Sequence, residues 1–203
     1  MTSNSLLKNK NFVLFLSIRW FYSLAIQSIT LTVGWQVYIL TGNPLDLGLI
    51  GLAQVLPIFL FILPSGVIAD KFDRKVVITL CTIVHLLVAI YLLYYSLGDP
   101  ESIWPILAAL LVHGTARAMY QPSLNAILPN IVEKKLFPNA TAYNSSVGKL
   151  GHLLGPLASG IIIAFYDTKV YIFAIVCLGI STLSTLLLKN PKNSSNLKSI
   201  SLS

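Results

Sequence analysis

Long, nearly uninterrupted apolar runs constrain this chain more than any other feature. Six runs of roughly 20 residues or more follow one another with short polar connectors between them. A helix of about 20 residues spans the ~30 Å hydrocarbon core of a bilayer. Only 10% of the residues are charged, which is too few for a soluble domain. The sequence therefore predicts an all-α integral membrane protein with six transmembrane helices, at 15–40, 47–69, 76–97, 103–128, 143–165 and 170–188.

These spans divide the chain into three parts. We expect an amino-terminal cytoplasmic segment at 1–14, a six-helix domain at 15–188, and a polar tail or start of a linker at 189–203. The amino terminus has lysines before an apolar run, as a secretory signal does. That run is too long for a signal peptide and no small-residue cleavage site follows it, so we interpret it as the first span.

Basic residues are concentrated on one side of the predicted membrane. The other side holds Lys169 alone, while the basic side holds Lys8, Lys10, Lys71, Arg74, Lys75, Lys134, Lys135, Lys189, Lys192 and Lys198. Because cytoplasmic loops carry the excess of Lys and Arg, both termini are expected in the cytoplasm. This topology also accounts for the formal net charge of +7, so nucleic acid is not an expected partner.

The connector after the second predicted span contains a recognisable pattern of charges. It has glycine, three residues, Asp, a basic residue, one residue, Asp and two basic residues, at Gly66, Asp70, Lys71, Asp73, Arg74 and Lys75. The pattern resembles motif A of the major facilitator superfamily, with Asp73 at a position that is usually glycine. In that family the motif is a cytoplasmic gate that stabilises the outward-open state. Asp70 ends a helix and is expected to need a cationic partner; the alternative is an ordinary basic cytoplasmic loop.

The fifth predicted span carries closely spaced glycines and a proline, at Gly148, Gly151, Gly155, Pro156 and Gly160. It resembles motif C, the antiporter signature of the same superfamily. Small residues four apart let two helices approach closely, and a proline inside a membrane helix permits a bend. A plain helix-packing face is the alternative interpretation.

Residues 33–45 further resemble the first helix of the drug and siderophore exporter branch, and residues 116–122 and 127–132 resemble its fourth helix. The resemblance covers nearly the whole chain, but this corresponds to only the first six of the family's twelve helices. In the family these six helices form two three-helix repeats. It implies export of a drug-like or siderophore-like small molecule by alternating access, in a bacterial inner membrane. A second six-helix half or a homodimer partner would complete the transporter. The alternative is a truncated, inactive or scaffolding membrane protein.

Polar residues inside the spans are candidates for a translocation cavity. Arg117 lies near the place of the family's motif B arginine, with Gln121 one turn away, although pairing or snorkelling would also explain it. Gln27 and Gln36 could line the same cavity or bind a neighbouring helix. Arg19 and Lys149 are expected to snorkel to the cytoplasmic edge.

No enzyme, metal site or cofactor is predicted. His85, His113 and His152 are single residues on three spans, and contacts between helices are their expected role. Every acidic residue falls in a connector or at a helix end, so no carboxylate is available in mid-membrane to carry a coupling proton. Such coupling would have to use a histidine, Asp46 or groups of a second half.

Overall fold

A computed structural model describes residues 4–98, 100–166 and 169–189, without the side chains of residues 4, 5 and 62–71. Within these residues the chain forms seven α-helices and a 3₁₀ turn at Lys134–Leu136. The helices are α1 (Asn4–Lys8), α2 (Lys10–Thr41), α3 (Pro44–Lys71), α4 (Arg74–Leu97), α5 (Trp104–Ile131), α6 (Phe137–Tyr166) and α7 (Val170–Leu187).

The predicted all-α membrane fold is confirmed, and α2 to α7 correspond to the six predicted spans. The largest difference is at α6, which begins at Phe137 although 130–142 was expected to be a connector. Pro138 lies in the first turn of this helix. Proline has no backbone N–H, and N–H groups in the first turn have no intrahelical acceptor, so the proline breaks no helix hydrogen bond. The polar residues that follow it are helical, so the helix extends beyond its apolar part.

In the part of the chain that the structure describes, five helices are long and apolar enough to cross a membrane, namely α2, α4, α6, α7 and the 44–61 part of α3. α5 is of similar length but less apolar, since it carries His113, Arg117 and Gln121. It packs extensively against α3 and α4, and its His113 side chain is buried. Because α5 is not among the five apolar helices, the sixth crossing remains a prediction.

The helices pack as two interlocked triplets, α2–α4 and α5–α7. α2 packs mainly against α6 and α7, whereas α5 packs mainly against α3 and α4, and α4 also contacts α7. The first helix of each triplet thus lies against the second and third helices of the other. This arrangement agrees with the expected repeat of three helices, and it leaves α2 and α5 facing each other with few backbone contacts.

The two ends of the bundle differ in charge. At one end, the Asn9 side chain donates to the Ile131 carbonyl (3.2 Å) and Lys75 Nζ donates to the Leu186 carbonyl (2.8 Å). We call this the basic end; its described cationic residues are Lys8, Lys10, Arg74, Lys75, Lys134, Lys135 and Lys189. At the opposite end, exposed aromatic side chains include Tyr94, Trp104 and Tyr166.

Candidate functional site

The clearest polar feature lies where α2 faces α5. Arg19 on α2 donates from Nη1 to Oε1 of Gln121 on α5, at 3.1 Å. The guanidinium lies against Gly148 on α6, where an added Cβ would be 2.8 Å from both Nε and Nη2. We call Arg19, Gln121 and Gly148 the Arg19 site. Counted at 1.5 Å per residue, these residues lie about 14 to 17 Å from the basic ends of their helices.

Most of the hydrogen-bonding capacity of Arg19 is unused. A guanidinium has five N–H donors, yet Gln121 supplies the one acceptor found within the described part of the chain. Nε is buried and has no partner there. The expectation that Arg19 extends to the membrane edge is wrong: the side chain turns across the bundle because Gly148 leaves room and Gln121 offers an acceptor.

Arg117 adds a second cation on the same side of α5. It is half-buried and makes no hydrogen bond or ion pair with the described residues. It lies one turn before Gln121, which binds Arg19. The acidic residues whose side chains the structure describes lie at helix ends or in connectors, namely Asp46, Asp73, Glu101 and Glu133. No described carboxylate therefore balances these two charges within a span.

A buried cluster of aromatic and imidazole rings adjoins the Arg19 site. Tyr22 on α2 stacks on Tyr120 of α5, with ring centroids 3.6 Å apart, and its hydroxyl lies 3.4 Å from His85 Nε2. The rings of His85 and His113 meet edge to face at 4.6 Å. Both ring nitrogens of His113 and the hydroxyl of Tyr120 lack partners within the described residues. Buried polar groups in this state commonly hold ordered water.

This cluster was missed by the sequence analysis, which treated the histidines as separate. His85 and His113 are far apart in sequence, and only the packing of α4 on α5 brings them together. The described residues contain no group of three or more metal-ligating side chains.

The motif A-like residues that the structure describes join the helices at the basic end. Asp73 is the N-cap of α4 and accepts from the Lys75 backbone N–H at 2.9 Å. Arg74 Nη1 donates to the Ala126 carbonyl of α5 (2.7 Å), and Lys75 Nζ reaches the last turn of α7. Leu186 lies in the last turn of α7, where carbonyls have no intrahelical partner, so the Lys75 ammonium satisfies one of them.

For three predicted members of this motif the structure describes the backbone alone. They are Gly66, Asp70 and Lys71, all in the last part of α3.

The motif C-like glycines lie directly against α2. An added Cβ at Gly151 would be 2.5 Å from Ser23 Cβ, and one at Gly155 would be 2.7 Å from Gln27 Cβ. Together with the contact of Gly148 on Arg19, this order shows that α2 and α6 run parallel. Gly160, in contrast, has open space around it.

Pro156 lies inside α6, next to Gly155. Its missing N–H leaves one carbonyl of the preceding turn without its intrahelical donor.

The two glutamine candidates on α2 have different surroundings. Gln27 is half-buried against Gly155. Gln36 is bound by neighbouring helices, since its Oε1 accepts from the hydroxyls of Tyr171 (2.8 Å) and Ser96 (3.0 Å). The structure therefore does not bring Gln36 together with the Arg19 site.

Comparison with known proteins settles the family. The model of the family described as "Transmembrane secretion effector", a group of the major facilitator superfamily, matches residues 5–200. The chain belongs to this family. The superfamily membership and the drug and siderophore branch that the motifs indicate are thereby confirmed.

Several curated members of the superfamily are similar to this chain. The staphyloferrin A transporter of Staphylococcus aureus is 30% identical over 66% of the chain and 34% of its own length. The uncharacterized MFS-type transporter YfiS of Bacillus subtilis is 25% identical over 73% of the chain and 33% of its own length. Macrolide efflux protein A of Streptococcus pyogenes is 22% identical over 79% of the chain and 40% of its own length. The matched part of the chain thus spans about a third to two fifths of these relatives.

Proposed function

We propose that this chain forms half of a small-molecule transporter that works by alternating access, and that the face between α2 and α5 lines its translocation path. The observation that carries this proposal is the Arg19 site together with Arg117. Charged groups within a membrane span are costly in contact with lipid and usually face a water-filled cavity or a partner. Gln121, which is exposed beside Arg19, fits a surface that meets water at some stage of a cycle.

A second six-helix half completes this transporter, because superfamily transporters move two such halves against each other around a site between them. The outward-facing apolar side chains of α3 and α6, such as Phe59 and Leu157, offer surface for that contact. A second copy of this chain is one candidate for the partner. The basic end lies in the cytoplasm under the positive-inside rule, and the efflux function named for one relative supports export.

The motif A-like segment acts as a gate at the basic end in this scheme. Arg74 and Lys75 tie the start of α4 to carbonyls of α5 and α7, so a change in these contacts accompanies opening at that end. Asp70 and Lys71 belong to the same gate by their place in the motif. We expect Arg74→Gln to favour opening of the basic end.

Cysteine accessibility tests alternating access without knowledge of the substrate. In a background with the buried Cys81 and Cys177 replaced by alanine, Gln121→Cys is labelled with a membrane-impermeant maleimide in right-side-out and inside-out vesicles. Membranes of the native host are used, so that any partner half is present. We expect labelling from both sides, and Arg74→Gln should increase labelling from the basic end.

Three matched positions control this assay. Trp104→Cys and Lys189→Cys, at opposite ends of the bundle, should each label from one side only, and Lys189→Cys from the cytoplasmic side. Leu157→Cys on the exposed face of α6 should label from neither side if lipid covers it, and its oxidation to a disulfide between copies would identify a homodimer. Labelling of Gln121→Cys from a single side in all preparations would favour the alternative, a six-helix scaffold or inactive half.

A further inference from the structure

The Arg19 site has the geometry and charge of an anion-binding site. We propose that it binds a carboxylate group of the transported molecule, with Gln121 orienting Arg19 and Arg117 adding to the positive potential. This inference rests on the proposed transport function and names the class of its substrate.

Three observations on the described residues support the assignment. Arg19 is held on two sides, by the Gly148 surface and by Gln121, so its planar fork is fixed before any ligand arrives. A pre-organised guanidinium can donate two parallel hydrogen bonds to one carboxylate. Its remaining donors have no acceptor among the described residues, so an incoming anion breaks no existing ion pair. Nε is already removed from water.

The charge balance of the bundle points the same way. Arg19 and Arg117 lie within spans whose described carboxylates are all at helix ends or in connectors. Two cations that no described carboxylate balances create a strong positive potential in a low-dielectric surrounding, and that potential favours an anion over a cation or a neutral molecule. In a second copy of the chain, the described carboxylates would likewise lie at helix ends or in connectors, outside the spans. In a dimer of this chain, the anion would therefore come from another molecule.

Glutarate and its uncharged diamide, glutaramide, are suitable probes because they differ mainly in charge and partition poorly into lipid. Binding to the purified full chain in phosphatidylcholine nanodiscs is followed by the fluorescence of Trp20, which adjoins Arg19, after Trp35 and Trp104 are replaced by phenylalanine. We expect glutarate to bind about tenfold or more tightly than glutaramide, in keeping with one or two charged hydrogen bonds. Arg19→Gln should abolish this preference.

Two further variants separate a specific site from general charge. Lys149→Gln removes one positive charge from the exposed side of α6, next to Gly148, and should leave glutarate binding unchanged. Gly148→Ala keeps every charge but places a Cβ where the guanidinium lies, so it should weaken glutarate binding. Full glutarate affinity in Arg19→Gln, or equal losses in Arg19→Gln and Lys149→Gln, would overturn the proposal.

The remaining arms identify the source of the anion. If inorganic phosphate binds more tightly than glutarate, the ligand of the site is a phosphate group and not a carboxylate, which would contradict the proposal. If anionic phosphatidylglycerol in the nanodisc abolishes glutarate binding, the site belongs to a lipid headgroup instead. Absence of glutarate binding to the wild-type chain also refutes the assignment. These results are independent of two-sided labelling at Gln121→Cys, so the substrate class and alternating access can fail separately.

Discussion

The contact between Gly151 and Ser23 gives a quantitative test of how closely α6 packs on α2. Gly151→Ala would place a Cβ 2.5 Å from Ser23 Cβ, whereas carbon atoms in favourable contact are about 3.5–4.0 Å apart. Ser23 cannot rotate its own Cβ away, so the two backbones must separate by about 1 Å or more. Overpacking of this kind costs about 1–3 kcal/mol.

Gly160→Ala on the same helix is the matched control, because nothing lies within 4 Å of its added Cβ. Both substitutions gain up to about 1 kcal/mol in helix propensity. That gain cancels in the comparison, so we expect Gly151→Ala to be less stable than Gly160→Ala by about 1–3 kcal/mol.

Titration of the purified protein with SDS in mixed micelles, followed by circular dichroism, measures both free energies of unfolding. Equal stability of the two variants would refute the close approach of α6 to α2. It would also remove the structural basis for placing Gly148 against Arg19, since the same helix contact positions both residues.

The same titration tests three further contacts. Arg74→Gln should cost about 1 kcal/mol, because it removes a half-exposed charged hydrogen bond to the Ala126 carbonyl, and unchanged stability would contradict that contact. Gln36→Leu should cost about 1–3 kcal/mol by leaving the buried Tyr171 hydroxyl without its acceptor. Adding Tyr171→Phe should recover most of this loss, and no recovery would argue for another role of Gln36. Tyr120→Phe should hold or raise stability, since its buried hydroxyl has no partner in the described part of the chain; a clear loss would indicate a bound water.

The helices were predictable because each apolar run is long enough to span a membrane and ends at a polar or glycine-containing connector. Gly42, with φ of 62°, ends α2 as a left-handed C-cap, and Asp73 caps the start of α4. These are local signals that the sequence states directly. The start of α6 was missed because its first turns are polar, and the apolar pattern that marks a span does not mark the whole helix.

Contacts between helices were predictable only as alternatives. Gln36 is compatible with a cavity or with a neighbouring helix, and its side chain alone does not favour either. The pairing of His85 with His113 depends on how α4 is rotated against α5, and that rotation is fixed by packing of many side chains at once. Periodicity shows which face of a helix is apolar, but it does not identify the helix that covers that face.

The glycines of α6 show how one sequence pattern can serve two physical purposes. At Gly151 and Gly155 the missing Cβ lets α6 approach α2 closely, because the atoms that face these glycines are Cβ atoms of α2. At Gly148 the atoms opposite belong to a guanidinium, so the same absence creates space for a charge rather than for a backbone. The close approach one turn away brings Arg19 within reach of α6. Helix packing thus places the cation inside the bundle, and the glycine spacing that left motif C and a plain packing face as alternatives also positions the Arg19 site.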